Sequence, residues 1–332
     1  MAYRLSLLDK SPLAEGETAA AALARTLTLA QRAEELGYHR IWLAEHHNTP
    51  ALASPSPEVL IAWILAHTRR IRVGSGGVML QHYSPYKVAE NFNLLASLAP
   101  DRVDLGVGKA PGGLPLSTRA LQQGINQLEK GDFASQLRAL DQWLTGSPAA
   151  DGADQLLATP LPPRPAARFL LGASEASAKL AAGLNWQFVF AAHLNGDRQE
   201  LERALTAYRH DSNGQSALLA VQAIVADTPA EADRLAADLQ QFRVHVDNGQ
   251  SVTVGNLAQA EAFIRQSGAV QHRIEPRESS VLKGTAAQVH AGLEALHQRY
   301  GVEEFIIDTP ISAGVPRLKS LQLLASHQLV AA

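Results

Sequence analysis

Eight short apolar runs, separated by stretches with helical spacing, constrain this chain more than any other feature. The runs cover residues 3–8, 41–44, 71–80, 103–107, 168–172, 186–192, 218–226 and 305–308. Each is rich in β-branched, aromatic or aliphatic residues, as strands buried on both faces require. Between them, helices are announced by Thr18, by Ser56 with Pro57, by Ser84 with Pro85, by Thr228 with Glu231 and by Thr285 with Gln288. Gly37 and Pro100 mark stops. Strand, helix and strand in repetition imply parallel neighbours joined by right-handed crossovers, and eight such units close into a (β/α)8 TIM barrel.

The α/β barrel with insertions is therefore the expected architecture. With 332 residues and 46% hydrophobic content, the chain suffices for one such domain spanning 1–332. Residues 117–130 and 132–144 read as two helices, and Pro148, Pro160, Pro162, Pro163 and Pro165 mark an irregular connection before the fifth strand. The stretch at roughly 240–285 exceeds what a barrel unit needs and reads as an insertion or lid. Residues 318–329 read as a closing helix.

Composition narrows the partners. A formal net charge of -3 offers no basic field for nucleic acid or anionic membrane surfaces, so small molecules are the expected ligands. No cysteine is present, which removes disulfides and thiolate catalysis. The first residues lack a basic region followed by a long apolar core, and no apolar run approaches about twenty residues, so a cytoplasmic location is expected. No nicotinamide fingerprint is visible: Gly74 and Gly76 are followed by Met79, and Gly106 and Gly108 by Pro111, where a third glycine is required.

In such a barrel, polar residues at the C-terminal strand ends are the candidate site. The second strand ends in Glu45, His46 and His47, with His46 on the opposite face from its two neighbours. Gly74, Gly76 and Gly77 interrupt the third strand and fit either an ordinary bulge or close approach of a ligand. The fourth strand runs into a glycine-rich loop carrying Lys109. The fifth exits through a small-residue turn, GASEAS at 172–177, into a helix whose free N–H groups favour an anion. His193 ends the sixth strand and reads as structural or pocket-lining; Asp308 ends the eighth.

Taken in order, the EHH of 45–47, the VGSGGVML of 73–80, the DRVDLGVGKAPG of 101–112 and the TRAL of 118–121 resemble the bacterial luciferase-like flavin monooxygenases. LLDKSPLAEG at 7–16 is similar to a bacterial subgroup of these proteins without an assigned substrate. The resemblance implies a barrel that binds FMN, reduced by a separate NAD(P)H-dependent flavin reductase, and uses it with O2 on a small organic substrate. It also implies a homodimer through helices flanking the early strands. By position, it makes His46 a catalytic acid/base near the flavin, with His47 beside it. Gly76 and Gly77 match a dipeptide with a non-prolyl cis bond beneath the flavin ring. Lys109 and Arg119 match phosphate-binding arginines, and Ser174, Glu175 and Ser177 lie where the family's turn binds phosphate. Lys109 departs from the arginine, leaving a point charge in place of a bidentate contact. Gly108 stands where luciferase has a reactive cysteine. Three rival readings are a deazaflavin-dependent hydride-transfer enzyme, a non-catalytic flavin-binding protein, and a metal-dependent hydrolase using His46, His47, His193 and Asp308. No metal is expected under the first reading.

Overall fold

The computed structural model of the chain describes residues 3–146, 156–194, 196–247, 249–277 and 280–330. Strand β1 (Arg4–Asp9) is followed by helix α1 (Ala19–Glu35), whose first turn is capped by the Thr18 hydroxyl accepting from the Ala21 amide. Next come β2 (Arg40–Leu43), α2 (Pro57–His67), β3 (Arg72–Ser75), β4 (Val78–Met79), α3 (Pro85–Leu98) and β5 (Val103–Gly108). Helices α4 (Pro115–Leu121), α5 (Gln127–Lys130) and α6 (Phe133–Thr145) lead to β6 (Ala167–Gly172), α7 (Glu175–Gly183), β7 (Gln187–Ala191), α8 (Arg198–Asp211) and β8 (Leu218–Val225). Then follow α9 (Pro229–Ala236), β9 (Gln241–Val246), β10 (Ser251–Val254), α10 (Leu257–Ser267), β11 (His272–Arg277) and β12 (Val281–Gly284). The last elements are α11 (Ala286–Tyr300), β13 (Glu304–Asp308) and α12 (Gly314–Val330).

The parallel strands run in the order β8-β13-β1-β2-β3-β5-β6-β7, and β7 pairs again with β8, closing the eight-stranded barrel expected from the alternation. Residues of opposite strand parity fill two separate spaces, because successive side chains point to opposite faces. One set, including Leu7, Ile41, Leu43, Val73, Leu105 and Ile307, packs outward against the helices. The other, with Leu8, Trp42, Ala44, Phe169, Val189, Leu218, Ala220 and Ile306, fills the barrel interior.

Below that apolar layer lies a charged one. Arg40 donates from Nε and Nη2 to Glu304 at 2.6 and 3.1 Å and from Nη1 to Asp104 at 2.8 Å. Ser6 adds a bond to Glu304 at 2.6 Å, the Trp42 indole one to Asp104 at 3.0 Å, and Arg72 closes the other Asp104 oxygen at 2.5 and 2.9 Å. The Arg40 guanidinium lies 4.9 Å from the Phe169 ring centroid, so its faces are covered as well as its edges.

Several local expectations need correction. Residues 71–80 do not form one strand: β3 stops at Ser75 and β4 resumes at Val78, after which Leu80–His82 turn as a 3-10 helix. Gly74 faces Asp104 and Val78 faces Val107, so one extra residue is inserted opposite β5 as a bulge. The Ser75 hydroxyl bridges the break, donating to the Gly106 carbonyl at 2.8 Å and accepting from the Gly106 amide at 3.0 Å. A Cβ on Gly106 would strike the Ser75 carbonyl, so this close approach requires glycine. Residues 117–130 are two helices, not one, separated by a turn in which Gly124 has a φ of 82°. Ser56 and Ser84 precede their helices without a side-chain cap bond, leaving Pro57 and Pro85 as the start signals, whereas Thr285 and Gln288 form a complete capping box. Of the prolines marking the connection before β6, Pro148 lies outside the described residues.

The expected insertion has its own structure. β10, β9 and β11 form an antiparallel sheet, with α10 packed over it through Val244, Val246, Val254, Ala260 and Phe263. Its end falls earlier than residue 285, because Val281–Gly284 pairs in parallel with Gln222–Val225 and so joins the barrel sheet. These strands were not legible individually because they are short and carry charged residues on their open face, as in HRIEPR.

Replacing Arg40 by Leu strands Asp104 and Glu304 as buried carboxylates without their shared cation. We expect a loss of about 3–5 kcal/mol, measured as a lowered urea midpoint at unchanged slope.

Candidate active site at the barrel mouth

Strand alternation carries the interior set upward to the C-terminal mouth. On β1 it runs Ser6, Leu8, Lys10; on β2 Arg40, Trp42, Ala44 and then His46; on β13 Glu304, Ile306, Asp308. β7 contributes Val189 and, just past its end, His193, and β8 contributes Leu218, Ala220 and Gln222. The top layer is thus Lys10, His46, His193, Gln222 and Asp308. Lys10 donates to Asp308 at 2.7 Å and Gln222 to the same carboxylate at 3.1 Å. Burial pushes the Asp308 carboxyl up, but Lys10 and the two hydrogen bonds outweigh it and hold the group down at about 2.

The two histidines are held by their backbones and left free at their rings. The His46 amide donates to the Ser54 carbonyl at 3.0 Å and the His193 amide to the Ala220 carbonyl at 3.1 Å. Nδ1 of each ring is buried without a hydrogen-bond partner. Burial first, then the Lys10 charge, lowers both imidazoles to about 4, against the opposing pull of Asp308. Both are neutral at pH 7.

His47 and Glu45 face the other way, as alternation predicts. Glu45 is buried and fully engaged, accepting from the Tyr83 hydroxyl at 2.8 Å and the Met79 amide at 3.0 Å and pairing with His47 Nε2 at 2.7 Å. The His47 amide in turn donates to the Gly112 carbonyl at 2.7 Å, and His82 binds the Pro111 carbonyl at 2.7 Å. This network pins the loop after β5, so the structure does not bring His47 together with His46.

The remaining predicted residues fall on the neighbouring arc. The Gly76–Gly77 peptide is cis. A Cβ on Gly76 would lie 2.7 Å from Leu8 and 3.0 Å from Trp42, so bare backbone is laid directly on the interior layer. Lys109 follows β5 and is exposed. Ser174 caps α7 by accepting from the Ser177 amide at 3.3 Å, and the two hydroxyls are 3.0 Å apart. β5 and β6 are adjacent, with Gly108 opposite Leu171, which places Lys109 and this turn at one end of the same strand pair. The Glu175 amide is taken by the Glu200 carboxylate at 3.0 Å and its side chain by Lys179 at 2.6 Å, leaving the serine hydroxyls as the turn's polar face. Arg119 is exposed on α4 and donates to the Gln266 carbonyl of α10 at 3.2 Å, reaching the insertion and not the α7 turn.

Sequence reasoning passed over Lys10, Gln222 and Tyr83. Lys10 stands in a turn-like DKSP sequence just past the first strand, although its two-residue spacing from Leu8 marks the interior face. The metal-hydrolase reading is corrected: among the described residues no group of three or more His, Asp or Glu could hold a metal ion, because His47 turns away to Glu45 and Asp308 is engaged by Lys10.

An eight-stranded parallel barrel whose mouth carries an EHH turn, a cis diglycine and a basic loop defines a class, and the comparisons agree. The chain belongs to the luciferase-like monooxygenase family, whose model matches residues 4–303, and it is an enzyme of that class. It is 43% identical over 336 residues to the N-acetyl-S-alkylcysteine monooxygenase of Bacillus subtilis (strain 168), with 99% of each chain covered. A luciferase-like monooxygenase of Escherichia coli (strain K12) is 34% identical, covering 96% of this chain and 95% of that one. Among solved structures, apo-MsnO8 superposes with a TM-score of 0.78 at 30% identity, covering 98% of each chain. The oxygenating constituent of 3,6-diketocamphane monooxygenase from Pseudomonas putida, in complex with FMN, gives 0.71 at 17% identity over 98% of this chain and 97% of that one. An F420-dependent secondary alcohol dehydrogenase gives 0.67 at 14% over 97% and 98%. The last two share the fold alone.

The neutral histidines tie stability to pH. Between about 4 and the ordinary 6.5, the unfolded chain binds protons that the folded His46 and His193 refuse. Stability should therefore rise with pH across that window, by up to about 1.4 kcal/mol per pH unit for each histidine, and level off above it. Urea midpoints at pH 5, 6 and 7, with histidine ring NMR to assign the titrations, check this; rings titrating near 6.5 would refute it.

Proposed function

We propose that this protein is a monooxygenase that takes reduced FMN from a separate NAD(P)H-dependent reductase in the cytoplasm and uses it with O2 to oxidise a small organic substrate. The observation that carries this reading is the mouth itself: a bare Gly76 backbone laid on Leu8 and Trp42, in a barrel whose second strand ends in the neutral His46 ring with Nδ1 unpartnered. A flat ring system and a polar ligand atom fit that combination. When bound, reduced FMN supplies two electrons for splitting O2, one oxygen atom entering the substrate and the other leaving as water.

The chain's own residues bind, orient and shield. Gly76 and Gly77 would bed the ring, while Lys109 as a point charge, Ser174, Ser177 and the Glu175 turn would hold the phosphate, and Arg119 would leave the Gln266 carbonyl to join them. His46, neutral at pH 7, can take a proton at its ring nitrogen and return it. His47 acts through Glu45 and the 111–113 loop as a positioning residue. The insertion bears on α4 through Gln266, which binds both the Leu116 amide at 3.0 Å and Arg119, and as a lid it would restrict water. The relative from B. subtilis makes an N-acetylated S-alkylcysteine thioether the first substrate to test.

The same reading includes a homodimer through α2 and α3. Helix α2 is apolar on nearly every side, and Val59, Trp63, Leu94 and Leu98 are 65, 37, 49 and 68% exposed. Among the described residues no helix is long and apolar enough to cross a membrane.

Titration with oxidised and reduced FMN, followed by flavin absorbance and fluorescence, should show saturable binding that weakens about tenfold in Arg119→Ala, the loss of one charge-assisted contact. Reduced FMN should then consume O2 and oxygenate the thioether. Tight binding without oxygen consumption would make the protein a flavin carrier, and binding of a deazaflavin alone would move it to hydride transfer. Sedimentation of the wild type should give a dimer and Trp63→Glu a monomer; a monomeric wild type would remove the interface.

A further inference from the structure

We propose that Met79 is an oxidation site built into the barrel mouth. Hydrogen peroxide, formed when reduced flavin meets O2 without substrate, converts its thioether to a sulfoxide, and the added oxygen weakens flavin binding. The inference rests on the FMN reading and deepens it by naming what uncoupled turnover does to the protein.

Sulfur is scarce in this chain, which makes its placement informative. There is no cysteine, and of the two methionines Met1 lies outside the described residues. Met79 ends β4 and pairs with Gly108 in parallel register, one step beyond the Val78–Val107 pair that packs outward against the helices. Met79 and Gly108 therefore share the interior face. The Met79 amide donates to Glu45 at 3.0 Å, which fixes the backbone. Its side chain runs along the loop after β5, with Cγ 3.0 Å from where a Cβ on Gly112 would sit.

The sulfur borders a recess. Apart from the chain neighbours of Gly108, a Cβ at that position would have within 4 Å only Met79 Cε at 3.3 Å and Sγ at 3.5 Å. The recess lies between the Gly76–Gly77 peptide, after which β4 begins, and Lys109, which follows Gly108. These are the groups proposed to hold the flavin. Met79 is 9% exposed, and hydrogen peroxide is little larger than water, so the oxidant needs no wide opening.

The chemistry balances without any further reagent. Reduced flavin gives O2 two electrons and two protons, forming the peroxide. A sulfur lone pair then attacks one peroxide oxygen, the O–O bond breaks, and the other oxygen leaves as water, so sulfur loses the two electrons that the peroxide gains. Loop geometry gives the consequence. The Gly112 carbonyl is held by the His47 amide and the Pro111 carbonyl by His82, so the loop on one side of the side chain is pinned. The new oxygen is directed into the recess over Gly108, where it takes up space and replaces a soft apolar contact with a polar one.

The test is mass spectrometry of the Met79 peptide beside an FMN titration of the same sample. Added hydrogen peroxide should put one oxygen, about 16 Da, on Met79 of the native protein at a rate within about tenfold of that in guanidinium-unfolded protein. Reduced FMN in air without substrate should do the same, whereas oxidised FMN in air should not. Binding of FMN should weaken about tenfold on full oxidation, in step with the fraction of Met79 oxidised. Met79→Leu, close in volume, should keep its own FMN affinity through the same treatment. If that variant folds poorly by circular dichroism, the correlation within the wild type decides alone. A native Met79 that resists peroxide, or that oxidises without loss of FMN affinity, would overturn the proposal. So would a Leu variant that loses affinity as fast as the wild type. A wild type that binds no FMN yet oxidises readily at Met79 would leave the reactive sulfur standing and sink the FMN reading alone.

Discussion

The Arg40 guanidinium at the barrel floor is the constraint on which the rest of the structure depends. It joins β2 to β5 and β13 through Asp104 and Glu304. An interior of eight strands is just wide enough to be filled by side chains, so a buried cation there must be matched bond by bond or not tolerated. Here every strong partner is present: two carboxylates, the Ser6 hydroxyl, the Trp42 indole, Arg72 from outside and the Phe169 face. Such a network adds less net stability than an apolar plug would, but it admits one register only. A slip of one residue on β2 would turn Arg40 into the helix layer and take from Glu304 and from one oxygen of Asp104 the cation they share.

Register at the floor determines chemistry at the mouth. Arg40 and His46 lie on the same face of one chain segment, as do Glu304 and Asp308, and Ser6 and Lys10. The barrel is therefore layered, charged below, apolar between and polar above, and the apolar layer of Leu8, Trp42, Phe169 and Ile306 insulates the two polar ones. Burial lets the mouth hold neutral histidines beside the Lys10–Asp308 salt bridge.

Much of this was legible in the chain. The eight runs gave the barrel, since period and length distinguish a doubly buried strand from its flanking helices, and the abrupt change from Trp42 and Leu43 to Glu45 and His46 marked the mouth. Legibility failed where a residue's role depends on a distant partner. Arg40, Asp104 and Glu304 look like ordinary strand-edge charges until the barrel closes and brings positions 64 and 264 residues apart from Arg40 into contact. The β3–β4 break was concealed for a related reason: a bulge is a mismatch with β5, and a mismatch exists only between two strands. The insertion's strands were too short and too charged to stand out, and Val281–Gly284 belongs to the barrel only by its pairing with β8.

Glu45, His46 and His47 show in three residues how structural and chemical roles divide. Glu45 is a buried carboxylate with three partners, and His47 is held against it through Nε2 and against the Gly112 carbonyl through its amide, so both are tied into the fold. His46 between them is turned to the interior, fixed at its amide and unsatisfied at its ring. A fold gains nothing by burying an imidazole nitrogen without a partner, whereas a site does, because such a group is pre-placed for a ligand atom and has no competing bond to break. The satisfied pair on one face of the turn keeps the β5 loop in place, and that rigidity lets the unsatisfied residue on the other face stay aimed at the mouth.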